Sequence, residues 1–252
     1  MNRLRSRLQN GEIAVGIFSK ITDPAVAEIC GTAGLDFIII DLEHGPASIE
    51  TAQNLIRAGE LGGAAPIIRV ALNAEDQVLR ALDIGVHGVQ VPQINSQEQA
   101  KKLVEYSRFG PMGKRGMCRY VRAAQYTQRE AKEYFSSANE EVLVIGHLEG
   151  KEGLENIDDI LQVDGLDVIF IGPYDLSQSL GIPGQVDSPV LLEKMQNITE
   201  KCKKKDKLVG TFVEDYSLAQ KWINAGVTYI AFSVDVGLLY NTLHQISLNI
   251  KK

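Results

Sequence analysis

With 252 residues, 26 basic and 32 acidic, the chain carries a net charge of −6, which opposes nonspecific binding to nucleic acid. Hydrophobic residues make up 44% of it, enough for a sizeable core, yet no apolar run reaches ~18 residues, so no membrane span is expected. Cys30, Cys118 and Cys202 lie far apart and form no CxxC pair, which argues against a disulfide framework or a cysteine metal cluster.

Arg3, Arg5 and Arg7 are followed by no apolar segment, so a secretory leader is not expected and the cytoplasm is the expected compartment. Ala14 to Ser19 reads as a first strand. Asp23-Pro24 then opens a helix that Gly34 closes. Phe37 to Asp41 is a second strand, with no polar alternation and three consecutive isoleucines, as expected for a strand buried on both faces. A helix from Ser48 to about Leu61 follows, then a strand over 65–70 ending in Arg69. Asn73 and Asp76 are the expected caps of a helix closing at Gly85, and Gly88 to Val91 is a fourth strand. Ser96 and Gln99 form a capping box for a helix to about Ser107.

Residues 108–126 form a long loop rich in Gly and Arg, of a kind that often carries function. Thr127 and Glu130 are the expected caps of the next helix. Strands over 142–148 and 167–171 flank a helix from Lys151 to about Leu161. A second long loop leads from Gly172 to a helix that begins near Pro189 and ends in the lysine run Lys201 to Lys207. That run reads as a solvated helix end. Leu208 to Val213 and Thr228 to Ser233 are the last strands, each followed by a helix, the final one over 236–250.

Eight strand–helix units in unbroken alternation predict a parallel sheet with right-handed crossovers. That number points to a closed (β/α)8 TIM barrel of the α/β class, one domain over residues 1–252. A doubly wound sheet is disfavoured because the first βα turn, residues 19–24, holds no glycine and no GxGxxG or P-loop occurs.

In such a barrel the polar residues at the C-terminal strand ends form the site. Here they are Asp41, Glu43, His44, Arg69, Glu149, Asp175 and Asp235. Glu149 and Asp175 are one βα unit apart, so both reach neighbouring positions on the rim. Two carboxylates there suit Mg²⁺ or Mn²⁺, ions that keep positions open for substrate oxygens. Arg69 is placed to fork onto a carboxylate or a developing oxyanion. His44, with acidic neighbours Asp41, Glu43 and Asp83, is a candidate general base. His147 shares a strand face with Glu149 and should point into the barrel.

Several separated motifs now carry a resemblance. They are Asp36 to Pro46 (DFIIIDLEHGP), Pro66 to Arg69, Gly110 to Gly116, Glu149 and Phe170 to Ser177 (FIGPYDLS), with Gly210-Thr211-Phe212 and Ser233-Val234-Asp235. In this order they resemble the HpcH/HpaI aldolases, metal-dependent pyruvate aldolases with barrels of the phosphoenolpyruvate/pyruvate type. The resemblance implies Glu149 and Asp175 as ligands to Mg²⁺, Mn²⁺ or Co²⁺, His44 as base with Asp41 as dyad partner, and Asp83 sharpening that base. It also implies Arg69 as enolate stabiliser, and position 147, Tyr174 and Asp175 as substrate contacts. A 2-oxo acid and an aldehyde are the implied partners. The implied assembly is a homohexamer, a trimer of dimers with the last helix exchanged. Position 147 is usually glutamine and is His147 here, and Tyr174 also departs from the pattern.

Three rivals stay open. Lys20, after the first strand, suggests a Schiff-base aldolase. His147 and Tyr174 make oxaloacetate or acyl-CoA chemistry, including citrate formation, credible. A non-catalytic binding barrel is disfavoured by the intact Glu149, Asp175, His44 and Arg69. The long-loop Arg115, Arg119 and Arg122 are either an acceptor-carboxylate site or a packing arm between subunits.

Overall fold

A computed structural model describes residues 2–251. The elements in order are α1 (Arg3–Gln9), β1 (Ala14–Ser19), α2 (Pro24–Thr32), β2 (Phe37–Asp41), α3 (Ile49–Gly62), β3 (Ala65–Arg69), α4 (Glu75–Asp83), β4 (Gly88–Val91) and α5 (Gln97–Ser107). A short 3₁₀ turn (Arg122–Ala124) precedes α6 (Ala131–Glu141), β5 (Leu143–Leu148), α7 (Lys151–Glu155), α8 (Ile157–Ile160), β6 (Val168–Ile171) and α9 (Pro173–Ser179). The chain ends with α10 (Pro189–Lys204), β7 (Leu208–Val213), α11 (Tyr216–Ala225), β8 (Tyr229–Val234) and α12 (Asp235–Ile250).

The eight strands pair in parallel, each with its sequence neighbour, and β8 closes onto β1, so the sheet is the expected (β/α)8 barrel. Period two splits each strand between two cores. Phe18, Phe37, Ile39, Ile67, Ile145, Phe170 and Tyr229 fill the barrel interior, while Ile38, Ile40, Ile68, Val144, Ile169 and Ile230 pack outward against the helices. Phe37 and Tyr229 stack at a centroid distance of 4.0 Å. Gly16 makes room for them, because a Cβ there would lie 2.2 Å from the Phe37 ring.

Several local expectations change. The Asp23 and Ser48 caps form, each side chain accepting a helix N–H. Asn73 and Asp76 do not cap α4, whose N-cap is Ala74; Asn73 instead donates to the Gln99 carbonyl. Ser96 accepts the Gln99 N–H, but Gln99 reaches back to the Asn95 N–H rather than to Ser96. Glu130 precedes α6 without a side-chain cap bond. The helix expected over 151–161 breaks at Asn156 into α7 and α8. Two helices were not anticipated. α1 closes the barrel's N-terminal end, with Leu4 and Leu8 buried in the interior core. α9 occupies the start of what reads in sequence as a long loop.

α12 is exceptional. Of its residues only Asp235 is buried, and Leu239, Leu243, Ile246 and Ile250 are exposed in one stripe. No helix among the described residues is long and apolar enough to cross a membrane.

Candidate active site

Inward-facing positions near the C-terminal strand ends converge on one cavity of about 340 Å³. Phe18, Lys20, Asp41, His44, Arg69, His147, Glu149, Phe170, Tyr174, Asp175, Phe212 and Glu214 contribute to its wall. The volume lies in the usual range for a small-molecule site, ~300–1,000 Å³.

Asp41 and Arg69 end β2 and β3 as register partners. Adjacent inward side chains in parallel strands meet, and here they form a fork: Arg69 Nε donates to Asp41 Oδ1 at 2.9 Å and its terminal nitrogen to Oδ2 at 2.8 Å. The other terminal nitrogen lies 3.1 Å from Glu43 Oε2. The guanidinium carbon sits 4.7 Å above the Phe18 ring, which supports its plane from below. Burial would raise the Asp41 carboxyl, but Arg69, the His44 backbone amide and Lys20 outweigh it and hold it below the usual range. Glu43 is pushed up by burial, against the pull of Arg69 and His44.

The geometry corrects the expected His44–Asp41 dyad. Asp41 is completely buried and occupied by Arg69, and it accepts the His44 backbone N–H at 3.2 Å rather than an imidazole N–H. The His44 ring, 58% exposed, projects from the turn beyond β2. The carboxylate nearest to it is Glu43, 3.9 Å from Nε2. Asp83 is not brought to His44 within this chain. It ends α4, which runs from the C-terminal to the N-terminal end of the barrel, so within one chain it lies at the wrong end to act on His44. It pairs there with Arg115 at 2.7 Å. The long-loop arginines lie at the same end: Arg122 pairs with Glu60, and Arg119 donates to the Thr127 carbonyl.

His147 does point inward, as period two requires, and it belongs to a buried chain. Tyr229 Oη donates to Gln90 Oε1 at 3.3 Å, and the Gln90 amide meets His147 Nε2 at 2.5 Å. His147 Nδ1 lies 3.0 Å from Glu149 Oε2. With the Gln90 oxygen taken by Tyr229, its amide donates to Nε2, which leaves Nδ1 to donate to Glu149. The ring is thereby held as the Nδ1–H tautomer, stacked 4.6 Å from Phe170.

Glu149 is 3% exposed. Its Oε1 accepts the backbone N–H of Gln93 at 2.9 Å. Gln93 holds φ 56°, a left-handed conformation that costs a non-glycine residue ~1 kcal/mol or more. Burial raises the Glu149 carboxyl, yet His147 and the Gln93 amide prevail and keep it ionised below the usual range. Gly172 completes the cradle, since a Cβ there would lie 2.5 Å from Glu149 Oε2. Asp175 sits exposed in the first turn of α9 and lines the same cavity. Two hard carboxylates, one buried and oriented, fit a divalent cation that keeps water or substrate in its other positions. Tyr174 Oη donates to Glu214, and burial together with that carboxylate pushes the phenol up to about 12.

Gln90, Gln93 and Tyr229 escape a reading confined to charged strand ends, and Glu214, which directly follows β7, is a charged strand end missing from the set read from the sequence. Period two would have found three of them: Gln90 and Tyr229 are inward positions within strands, and Glu214 follows Phe212 in phase.

A family model described as HpcH/HpaI aldolase/citrate lyase matches residues 14–242. The chain belongs to that family. As a member of the HpcH/HpaI family it is an enzyme of aldolase type. It is 33% identical to the hydroxypyruvate/pyruvate aldolase of Roseobacter denitrificans, over 100% of this chain and 98% of the relative. It is 31% identical to the 2-keto-3-deoxy-L-rhamnonate aldolase of Escherichia coli K12, over 97% and 91% of the two chains. Among solved structures it resembles the citrate synthase SbnG, with 35% identity, a TM-score of 0.89 and coverage of 98% and 97%.

Proposed function

We propose that this protein is a divalent-metal-dependent aldolase that cleaves or forms 4-hydroxy-2-oxo acids by way of a pyruvate enolate. The observation that carries the reading is the pairing, in one cavity, of an oriented buried carboxylate, Glu149, and a second one, Asp175, with the Asp41-aligned Arg69. Glu149 and Asp175 would hold Mg²⁺ or Mn²⁺, with Co²⁺ a further candidate. When bound, such an ion supplies Lewis-acid polarisation to the keto group of a 2-oxo acid. Arg69, held by Asp41 and Glu43, keeps N–H groups free to share the charge of the enolate left when the C3–C4 bond breaks. His44, exposed on the cavity wall, takes the C4 hydroxyl proton in cleavage, through a water, and returns it in condensation. His147 and Tyr174 contact the substrate; through its Nδ1–H, His147 also fixes the Glu149 carboxylate.

The deciding experiment follows exchange of the pyruvate C3 protons with solvent. Exchange should appear with Mg²⁺ or Mn²⁺ and vanish with EDTA; no exchange under any metal condition removes the reading. A second reading, carbon–carbon chemistry on oxaloacetate or an acyl-CoA, is supported by the 35% identity to a citrate synthase and by His147 in place of glutamine. Metal-dependent consumption of oxaloacetate without pyruvate exchange would favour it.

We also infer a homo-oligomer, a hexamer built from dimers that exchange α12. Support comes from α12 itself, whose apolar stripe finds no cover in its own barrel. The cytoplasm is the compartment inferred from three free cysteines, one of them, Cys118, exposed.

A further inference from the structure

Tyr174 and Glu214 stand side by side because their strands do. Ile171 and Thr211 are register partners at the ends of β6 and β7, and each of the two residues lies three positions further along the chain. Across that gap Tyr174 Oη donates to the Glu214 carboxylate. The Tyr174 ring meets Phe212 edge-on with centroids 6.0 Å apart, and the residue is still 44% exposed. The backbone on both sides is anchored. Ser177, completely buried, donates to the Tyr174 carbonyl at 2.6 Å and accepts the Gly184 N–H at 2.9 Å. Asp215, directly after Glu214, caps α11 by accepting the Leu218 N–H at 2.8 Å. The phenol ring is thus tied through side chains, to Glu214 and Phe212, on two fixed pieces of backbone.

This pair separates two cavities. On one side lies the barrel mouth with Glu149 and Asp175. On the other lies a second cavity of about 70 Å³, set against α10 and α11 outside the barrel. Pro173, Tyr174, Phe212 and Glu214 line both, so they form the wall between them. Behind that wall the lining is apolar, with Val186, Met195, Leu218 and Trp222, of which Met195 and Trp222 belong to the outer core. Asp215, the charged residue on that side, is engaged by the Leu218 N–H and the Ser217 hydroxyl. The space is several times the ~10–15 Å³ that one water needs, but an apolar wall offers few of the roughly two to four polar partners a water requires. A short alkyl chain suits it better.

We propose that Tyr174, positioned by Glu214, is the partition that sets how long an apolar substrate tail can be, because it closes the site off from an apolar annex outside the barrel. The inference rests on the aldolase reading, in which the tail belongs to the acceptor aldehyde. With the partition in place an unbranched alkyl tail meets the phenol ring and Glu214. With the ring removed, the same tail runs on between Phe212 and Pro173 into the space bounded by Met195, Leu218 and Trp222. Glu214 acts through Tyr174 and is a positioning residue.

The test uses full-length protein with Mg²⁺ or Mn²⁺, pyruvate as donor, and propanal and hexanal as acceptors. The readout is the ratio of kcat/KM for hexanal to that for propanal, in which loss of active protein cancels. Wild type should favour propanal. Tyr174→Ala should raise the ratio about 10- to 100-fold, since a methylene seated in an apolar pocket is worth about 10-fold or more. Glu214→Ala leaves the ring but frees it and should raise the ratio about 3- to 10-fold. Glu214→Gln keeps an acceptor oxygen and should stay within about 2-fold of wild type. Adding Leu218→Phe to Tyr174→Ala fills the annex and should return the ratio toward the wild-type value. A ratio unmoved by Tyr174→Ala, a gain that survives Leu218→Phe, or a wild type that takes hexanal as well as propanal would overturn the assignment. Pyruvate proton exchange in wild type separates the two failures. With exchange present and the ratio unmoved, only the partition falls; with exchange absent under every metal condition, the aldolase reading falls and takes the partition with it.

Discussion

Asp41 and Arg69, register partners at the ends of β2 and β3, bind each other through two parallel hydrogen bonds of 2.9 and 2.8 Å. The fork fixes the plane of the guanidinium, and Glu43 and the Phe18 face hold it from two further sides. Lysine at position 69 would keep the charge and lose the fork. Arg69→Lys should therefore fold and bind metal while kcat falls about 10²- to 10³-fold, the usual loss when an oriented oxyanion donor is removed. Steady-state kinetics with a metal-binding titration on the same sample check it; retention of kcat within a few-fold would remove Arg69 from enolate stabilisation.

The same pair sets an acid limit on stability. The Asp41 carboxyl titrates below its unfolded value of about 3.9. A depressed folded pKa contributes stability that is complete above the unfolded pKa and is lost as pH falls through the folded one. Thermal unfolding of wild type should thus weaken steeply below about pH 4. Asp41→Asn should lower stability at pH 7 by about 3 kcal/mol, the lower end for a broken buried pair because Glu43 still faces Arg69. Its acid limb should also be flatter than that of wild type. A parallel acid limb in the variant would show that other carboxylates govern acid unfolding.

Legibility in the sequence followed physical scale. Barrel strands buried on both faces announce themselves as short apolar runs, so all eight were readable to within about a residue. The charged strand ends were readable because charge at a buried terminus is costly and rarely idle. Pairing was less so. Asp41 stands three residues from His44 in the chain, and the family resemblance implies a dyad; the parallel register instead delivers its carboxylate to Arg69, 28 residues away. Asp83 sits on a helix that runs to the other end of the barrel, a distance that family resemblance alone does not display. α1 was missed because two leucines among three arginines make a weak pattern until the barrel supplies a floor for them to close.

Gly172 makes room for the Glu149 carboxylate, with a hypothetical Cβ 2.5 Å from Oε2 and 3.0 Å from the Glu149 Cβ. Its φ of −90° is open to any residue, so the constraint is space alone. Gly172→Ala should displace the carboxylate and weaken divalent-metal affinity about 10- to 100-fold, as losses of supporting contacts do at metal sites. Glu149→Gln should abolish metal-dependent exchange. Isothermal titration with Mn²⁺ reads both variants, and wild-type affinity in either would move the metal away from Glu149.

Tyr229, Gln90 and His147 form a line of polar groups inside an otherwise apolar barrel. Gln90→Leu would leave His147 Nε2 without its donor and Tyr229 Oη without its acceptor, at about 1–3 kcal/mol for each buried group. It would also release the Nδ1–H tautomer that orients Glu149, so activity should fall further than stability alone explains. Tyr229→Phe removes the outer hydroxyl only and should cost about 1 kcal/mol with near-normal activity. Denaturant unfolding beside kcat separates the two effects. If Gln90→Leu loses stability but keeps kcat, the chain is packing and does not orient the site.

In α12 the exposed residues Leu239, Leu243, Ile246 and Ile250 recur at spacings of four, three and four, which places them on one helical stripe. Four large apolar side chains left in water on one face of this helix fit the dimer seam proposed above. Replacing Leu243, 56% exposed, by aspartate puts a charge in the middle of that stripe at little cost to an isolated barrel. In an exchanged dimer the same charge must be buried unpaired, which is strongly destabilising. Sedimentation velocity at micromolar concentration should therefore show wild type as one large assembly and Leu243→Asp as a smaller species. Because Asp235, at the root of the same helix, holds the Lys20 turn, the dissociated form should also lose aldolase activity. A monomeric wild type, or a variant of unchanged mass, would mean that the stripe is not the seam between subunits.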